Sequence, residues 1–456
     1  MIFRRIHSFS PFLTLRNANT LSVFKKGDAI PKIYQEYSFS ELMRGWLMLK
    51  LCSWGSFVKA AAQIRSASEI IAGRRLTAWL MNKTMFPHFV AGARRQELDR
   101  FTERLMKYNL QSMIVPPMED LSEQVGAEVV KATDRNFEKY LEYIHLVKCL
   151  SKDFKQDAVL QFKFSSVVPT ATMNGLSEHL ETNKRQFSNT GSILAEYFNG
   201  NSKSLLSLEL SKDLSQSLEH GLALCREIFK TAKSEGVPIL IDAELKQAHT
   251  SMYSIYFGAA LSFATRPTDL YITLQCYMKH MFSILQECHK TSKILQFPFG
   301  AKIVRGAYVT VERSIAAEHG IPDPICENVD KTSESYDKTV RHMLKAIADE
   351  PEKNAVFIGT HNLSSINRAL QCMEELNLPR NHPHVKLAQI YGMCDDISTK
   401  LTQLGYTVYK STPYGYPDEW IPYLARRASE NHTAMLTARN EVPIYRAEIV
   451  RRILRR

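Results

Sequence analysis

Ala301-Lys-Ile-Val-Arg305 is a short apolar run that closes on the polar stretch Arg305-Gly-Ala-Tyr308. Such a run, bounded by a turn signal, predicts a buried strand. Seven more segments have the same character: Gln111–Val115, Val159–Phe164, Pro238–Asp242, Leu270–Gln275, Ala355–Thr360, Val385–Ile390 and Tyr406–Tyr409. Longer amphipathic segments, such as Leu222–Lys233 and Tyr336–Ala348, lie between most of them. Eight strands alternating with helices predict an α/β fold, a TIM-type (β/α)8 barrel, with a doubly wound sheet as the alternative.

The chain has 456 residues, 45% of them hydrophobic, enough to bury one barrel with extensions or two ordinary domains. Helical patterns dominate residues 38–109, which sets a helical arm (31–110) before a barrel (111–456). Residues 173–213 are polar, rich in Ser and Asn, and weakly periodic. They read as an insertion or poorly ordered excursion between the second and third strands, or as an extra helical layer.

Net charge is +11, unevenly spread. Arg4, Arg5, Arg16, Lys25 and Lys26 precede the first acidic residue, Asp28, and Phe3, Ile6, Phe9, Phe12 and Leu13 supply an apolar side. That composition predicts a mitochondrial targeting segment over residues 1–30, with a disordered basic tail or a nucleic-acid-binding arm as the alternatives. The basic end, Arg446–Arg456, suits either an anionic lipid surface or water. No apolar run spans a membrane without a charge. Gly45–Trp54, interrupted by Lys50, lies on a bilayer surface or packs on the main domain. The eight cysteines have no CxxC pair and no zinc spacing, so free thiols and no metal site are expected.

In a barrel, chemistry gathers at the C-terminal ends of the strands. Those ends carry Lys163, Asp242, Gln275, Arg305-Gly-Ala-Tyr308, Thr360-His-Asn362 and Gly392-Met393. Polar groups closing apolar strands are costly without partners, so a ligand-filled polar pocket is expected there. Gly306 allows close approach to a flat ring, while Lys302 and Arg305 bring positive charge beside it, which suits a flavin. No G-x-G-x-x-G follows a strand, and P-loop, nucleophile-elbow and H-E-x-x-H signatures are absent. Near the end, Tyr423-Leu-Ala-Arg-Arg-Ala-Ser-Glu-Asn431 reads as one helical patch. Tyr423, Arg426, Arg427 and Glu430 share a face there, and two guanidinium forks suit a carboxylate.

Gly300–Arg313, Tyr391–Ser398, Val408–Gly415 and the Arg426-Arg427 helix together resemble the proline dehydrogenase family in its eukaryotic mitochondrial branch. The likeness runs from about Tyr34 to the C-terminus. It implies a distorted (β/α)8 barrel that binds FAD non-covalently. By resemblance, Arg426 and Arg427 grip the substrate carboxylate with Lys163, and Glu430 holds Lys163. Asp242 joins that network, while Tyr308 and Ile390 line the pocket. The positions matching FAD contacts are Ala243, Gln275, Lys302, Val304, Arg305, Gly306, Ala307, Thr360 and His361. Lys302 stands where bacterial relatives carry Arg. The implied reaction moves a hydride from a cyclic imino acid to the flavin, with ubiquinone as electron acceptor at the inner membrane.

Proline-using members carry a tyrosine two residues before the proline of the strand-eight loop. Ser411 occupies that place here, ahead of Pro413. The pattern is similar to the hydroxyproline dehydrogenase subgroup and implies a preference for 4-hydroxyproline, with ordinary L-proline oxidation as the alternative. A basic nucleic-acid-binding scaffold on a degenerate barrel is the alternative from another class. The charge sits mostly at the two ends, away from interleaved aromatics, so nucleic acid is not an expected partner.

Overall fold

The structure, a computed structural model, describes residues 31–55, 61–118, 121, 127–420, 424 and 439–454. The targeting segment predicted for residues 1–30 lies outside them. Eight parallel strands form a closed barrel in chain order. They are β1 (Leu110–Val115), β2 (Val159–Phe162), β3 (Ile239–Ile241), β4 (Leu270–Gln275), β5 (Phe299–Val304), β6 (Asn354–Gly359), β7 (Val385–Ile390) and β8 (Val408–Pro413). Each expected run becomes one strand, and the doubly wound alternative falls away. The largest shift is in β8, which begins at Val408 and continues to Pro413. Its pairing with β1, from Leu110↔Val408 to Val115↔Pro413, carries the ladder beyond the apolar run and takes Ser411 into the barrel wall.

Among the described residues six helices precede β1: α1 (Lys32–Glu36), α2 (Phe39–Cys52), α3 (Ala61–Ala72), α4 (Arg74–Lys83), α5 (Phe86–Phe89) and α6 (Arg95–Met106). Around the barrel stand α7 (Ala127–Phe154), α8 (Thr170–Thr182), α9 (Phe187–Phe198), α10 (Lys212–Glu235) and α11 (His249–Phe263). They are followed by α12 (Met281–Leu295), α13 (Val309–Glu318), α14 (Val329–Asp349), α15 (Leu363–Glu375), α16 (Asp395–Gln403) and α17 (Val442–Leu454).

The polar stretch between β2 and β3 is an extra helical layer, not a poorly ordered excursion. Met173, Leu176 and Leu180 of α8 and Leu194 of α9 are fully buried in the main core. A Cβ at Gly191 would stand 2.7 Å from Phe257 Cβ, and one at Gly258 2.7 Å from Leu194 Cβ. Small residues on both helices let α9 and α11 pack this closely, which is why the layer has so weak an apolar period.

Helix α2 begins with a reciprocal cap: Ser38 Oγ accepts from the Glu41 amide at 3.2 Å, and the Glu41 carboxylate accepts from the Ser38 amide at 2.7 Å. Its Leu42, Gly45, Met48 and Leu49 are buried. A Cβ on Gly45 would meet the Tyr445 ring at 2.4 Å, so α2 presses directly on α17. The Gly45–Trp54 stretch is thus packed along one side, and among the described residues no helix is long and apolar enough to cross a membrane.

Alternation along each strand turns every second side chain into the barrel. Toward the N-terminal end these are Met113, Val159, Leu240, Tyr271, Ala355, Phe357, Ala388 and Tyr409, one buried cluster. Lys386 lies among three of their rings, with Nζ 5.3 to 5.9 Å from the centroids, and burial lowers its pKa to about 8. Two residues farther along β2, β3 and β8, the same alternation presents Gln161, Asp242 and Ser411 to the barrel interior. Apart from Lys386 the floor of the barrel is a cluster of apolar and aromatic side chains, and the polar network lies one layer above it.

Candidate functional site

That polar layer is one connected network. Lys302, its side chain only 13% exposed, donates from Nζ to Asp242 Oδ1 at 2.9 Å across from β5 to the end of β3. Gln161 on β2 lies between Asp242 and Ser411. With its carboxamide oriented to satisfy both neighbours, its nitrogen donates to the Asp242 carboxylate at 3.2 and 3.0 Å, and its oxygen accepts from Ser411 Oγ at 2.8 Å. Ser411 is half-buried beside Ile390, its register partner on β7.

One layer up, Lys163 follows β2 and reaches the buried Glu244, with Nζ 4.0 Å from Oε2. Glu244 is anchored in turn: Oε1 accepts from the Ser165 amide at 2.9 Å, and its backbone oxygen accepts from Gln275 Nε2 at 2.9 Å. Gln275 Oε1 accepts from the Ala307 amide at 3.4 Å, linking the ends of β4 and β5. Ala243 is half-buried between the two acidic residues.

The backbone of Gly306 has φ +131°, and an added Cβ would overlap Tyr277 Cδ1 at 1.3 Å. The flat ring that this glycine approaches is therefore that of Tyr277. Arg305 points outward from β5 toward two helices. Its Nη1 and Nη2 donate to Ser333 Oγ on α14 at 2.9 Å and to Ser365 Oγ on α15 at 2.7 Å, and its guanidinium lies 5.1 Å from the Tyr336 ring centroid. Val304 borders Gly359, where an added Cβ would come within 3.1 Å of Val304 Cγ1. Tyr308 is half-buried at the start of α13.

Thr360 Oγ1 accepts from the Asn362 amide at 3.0 Å, and Asn362 caps α15 by accepting from the Ser365 amide at 3.0 Å. His361 Nε2 accepts from the Ile390 amide at 3.0 Å. Burial, aided by the Lys410 charge, lowers the His361 pKa to about 4, so the ring is neutral and its proton sits on Nδ1.

The strand-end residues named from the sequence thus fall in two groups. Lys163, Asp242, Lys302, Ile390 and Ser411 border the barrel mouth, whereas Gln275, Val304, Arg305, Gly306, Ala307, Tyr308, Thr360 and His361 close or follow β4, β5 and β6. Arg426, Arg427 and Glu430 lie outside the described residues. Two members of the network, Gln161 and Glu244, escaped the sequence reading. Both were marked by alternation: Gln161, on β2, stands two before Lys163, and Glu244 stands two after Asp242. Among the described residues no His, Cys, Asp and Glu cluster could hold a metal, and the eight cysteines are free.

The proline dehydrogenase family model matches residues 119–439. The hydroxyproline dehydrogenase of Xenopus laevis is 29% identical over 98% of this chain and 94% of its own length. The mitochondrial proline dehydrogenase 2 of Arabidopsis thaliana is 26% identical over 93% of this chain and 90% of its own. Among solved structures, the barrel matches proline utilization A from Bdellovibrio bacteriovorus with a TM-score of 0.63 at 16% identity, covering 88% of this chain and 40% of that longer one. That likeness speaks to the fold. The family match spans strands β2 to β8 and the polar network they carry, and on that ground the chain belongs to the proline dehydrogenase family and is an oxidoreductase.

Proposed function

We propose that this chain is an FAD-dependent dehydrogenase that oxidises 4-hydroxy-L-proline in preference to L-proline, yielding the corresponding 1-pyrroline-5-carboxylate. The observation that carries the substrate is Ser411, which lies in the barrel wall and is bonded through Gln161 to Asp242. A tyrosine there would occupy the space beside the substrate ring, and serine opens it. Relatives named hydroxyproline dehydrogenase over nearly the whole chain support the same reading.

The donor set at the ends of β4, β5 and β6 fits a flavin dinucleotide. Lys302 and Arg305 supply positive charge, Arg305 Nε is buried with no partner among the described residues, and neutral His361 has a donor at Nδ1. Ala243, Gln275, Lys302, Val304, Arg305, Gly306, Ala307, Thr360 and His361 would hold the cofactor. FAD bound there would supply the hydride acceptor, with ubiquinone as the final electron acceptor. The protein's own residues bind and orient the imino acid. Lys163, kept in place by Glu244, supplies positive charge for the carboxylate together with Arg426 and Arg427, and Glu430 joins them. Tyr308 and Ile390 border the ring, and Asp242 fixes the Lys302 ammonium.

Anaerobic titration with L-proline and with trans-4-hydroxy-L-proline tests this directly. Flavin absorbance should bleach at a much lower concentration of the hydroxylated ring. Equal or better bleaching by proline would leave ordinary proline oxidation as the activity. Ser411→Tyr should shift the preference toward proline by about tenfold, the worth of one group in a pocket. An unchanged ratio would remove Ser411 from specificity.

We place the enzyme at the mitochondrial inner membrane on the matrix side. Names such as "Proline dehydrogenase 1, mitochondrial" among the relatives support the organelle. The arm offers the surface: Ile70 and Ile71 of α3 are each 86% exposed and Trp79 of α4 is 57% exposed, with Arg75 and Lys83 exposed on the same helix as Trp79. Apolar residues and a tryptophan beside cations suit an anionic lipid interface. Ile71→Glu combined with Trp79→Glu should abolish co-sedimentation with anionic phospholipid vesicles while flavin bleaching persists. Undiminished sedimentation would place the contact elsewhere.

A further inference from the structure

We infer that Gln161 sets the polarity of a hydroxyl-recognition subsite, so that Ser411 meets the substrate as a hydrogen-bond acceptor. The inference rests on the imino-acid reading above and deepens it. It follows from a sequence of constrained choices that starts at Lys302. The ammonium of Lys302 donates to Asp242 at 2.9 Å, and a carboxylate in such a pair offers only lone pairs to its other neighbours. Gln161 is 5% exposed and sits 3.0 and 3.2 Å from those oxygens. Its carboxamide must therefore turn its nitrogen to Asp242, since the opposite orientation sets oxygen against oxygen. The carboxamide oxygen then faces Ser411 Oγ at 2.8 Å, and a carbonyl can only accept.

A serine hydroxyl has one proton. Here it is committed to Gln161, and only the lone pairs of Ser411 remain for a group entering the half-exposed side of the residue. A ring hydroxyl can donate to them, whereas the methylene of proline cannot. The subsite thus favours an imino acid carrying a hydroxyl that reaches Ser411. It disfavours one whose bare ring covers the oxygen without bonding it. A serine free to rotate would accept or donate indifferently and discriminate less. Gln161 is thus a positioning residue. It touches Ser411 and Asp242, and it acts on the substrate through the first of them.

The test is the ratio of kcat/KM for trans-4-hydroxy-L-proline to that for L-proline in the flavin-loaded chain. It is measured for the wild type, Gln161→Leu, Ser411→Ala and the double variant. Leucine nearly matches glutamine in volume and removes the hydrogen bonds to Asp242 and to Ser411. Gln161→Leu should lower the ratio about tenfold, mainly through KM for the hydroxylated substrate, as should Ser411→Ala. The double variant should fall no further, because each change breaks the same arrangement; a merely structural role for Gln161 would add its own loss. A wild type that prefers hydroxyproline while Gln161→Leu stays within twofold of its ratio overturns the inference and leaves the enzyme reading intact. If Gln161→Leu does not fold, an unchanged ratio in Ser411→Ala overturns it instead. A wild type that prefers proline also overturns it, and one that oxidises neither imino acid refutes the functional reading itself.

Discussion

Lys410→Met is expected to destabilise the fold by about 3–5 kcal/mol, the cost of leaving a buried charge without its partner. Lys410 neighbours Ser411 on β8 but points the other way, out of the barrel. Its side chain is 0% exposed, and Nζ lies 2.8 Å from Asp395 Oδ1 and donates to the Met393 carbonyl at 2.7 Å. Asp395 Oδ2 also accepts from Tyr37 at 2.7 Å, and Glu441 accepts from Tyr34 at 3.1 Å and from the amides of Cys394 and Asp395. Lys410 thus pairs with Asp395 at the edge of a buried carboxyl cluster that also holds Asp396 and Glu441. Burial, then Asp396 and Asp395, push the Glu441 pKa up to about 8. A carboxyl whose folded pKa is raised binds more protons when folded than when unfolded between the ordinary carboxylate range and its own value. Stability from this group therefore falls as pH rises through that window. Removing the cation should steepen the fall, and chemical denaturation followed from pH 5 to 8 reads both effects. A variant within 1 kcal/mol of wild type across that range would mean that the ion pair contributes nothing to the attachment of the arm. The cluster ties α1, α16 and the start of α17 to the barrel, so the arm should loosen first.

Lys302→Met is expected to slow flavin bleaching by saturating 4-hydroxy-L-proline about a hundredfold, the usual effect of removing one preorganised group that stabilises developing charge. Methionine keeps the length of the side chain and removes the ammonium. Lys302 is held by Asp242 before substrate arrives, so its charge is already in place and needs no reorganisation during the reaction. Anaerobic stopped-flow absorbance measures the rate, and the oxidised flavin spectrum shows whether the cofactor remains bound. A rate within threefold of wild type would remove Lys302 from the reacting centre. Loss of the flavin spectrum would assign it to cofactor binding instead.

The barrel was legible because parallel strands buried on both faces produce apolar runs that stand out from amphipathic helices. Tyr406–Tyr409 shows the limit: the run ended at Tyr409, but pairing with β1 carried the strand to Pro413. The helical layer formed by α8 and α9 was obscured because Gly191 and Gly258, rather than a stripe of large apolar residues, make its contact with α11. Lys163, Asp242 and Lys302 stood out as polar residues at the ends of strands. Glu244 and Gln161 did not, because one follows a strand that had already ended and the other lies inside an apolar one. The Tyr391–Ser398 motif supported the family likeness, yet nothing in it shows that Asp395 and Asp396 belong to an anchor whose other parts are Tyr34 and Glu441, 407 residues apart.

The sequence by itself determined the strand count, their alternation with helices and the parity that turns one set of side chains inward, because these follow from local periodicity and burial. The tertiary structure alone decided which polar groups meet and which of them donates. Gln161 and Ser411 are 250 residues apart and touch only because β8 closes on β1 and β1 pairs with β2. The direction of their hydrogen bond depends on a third residue, Asp242, and on the cation that holds it, since a carboxamide takes its orientation from its neighbours.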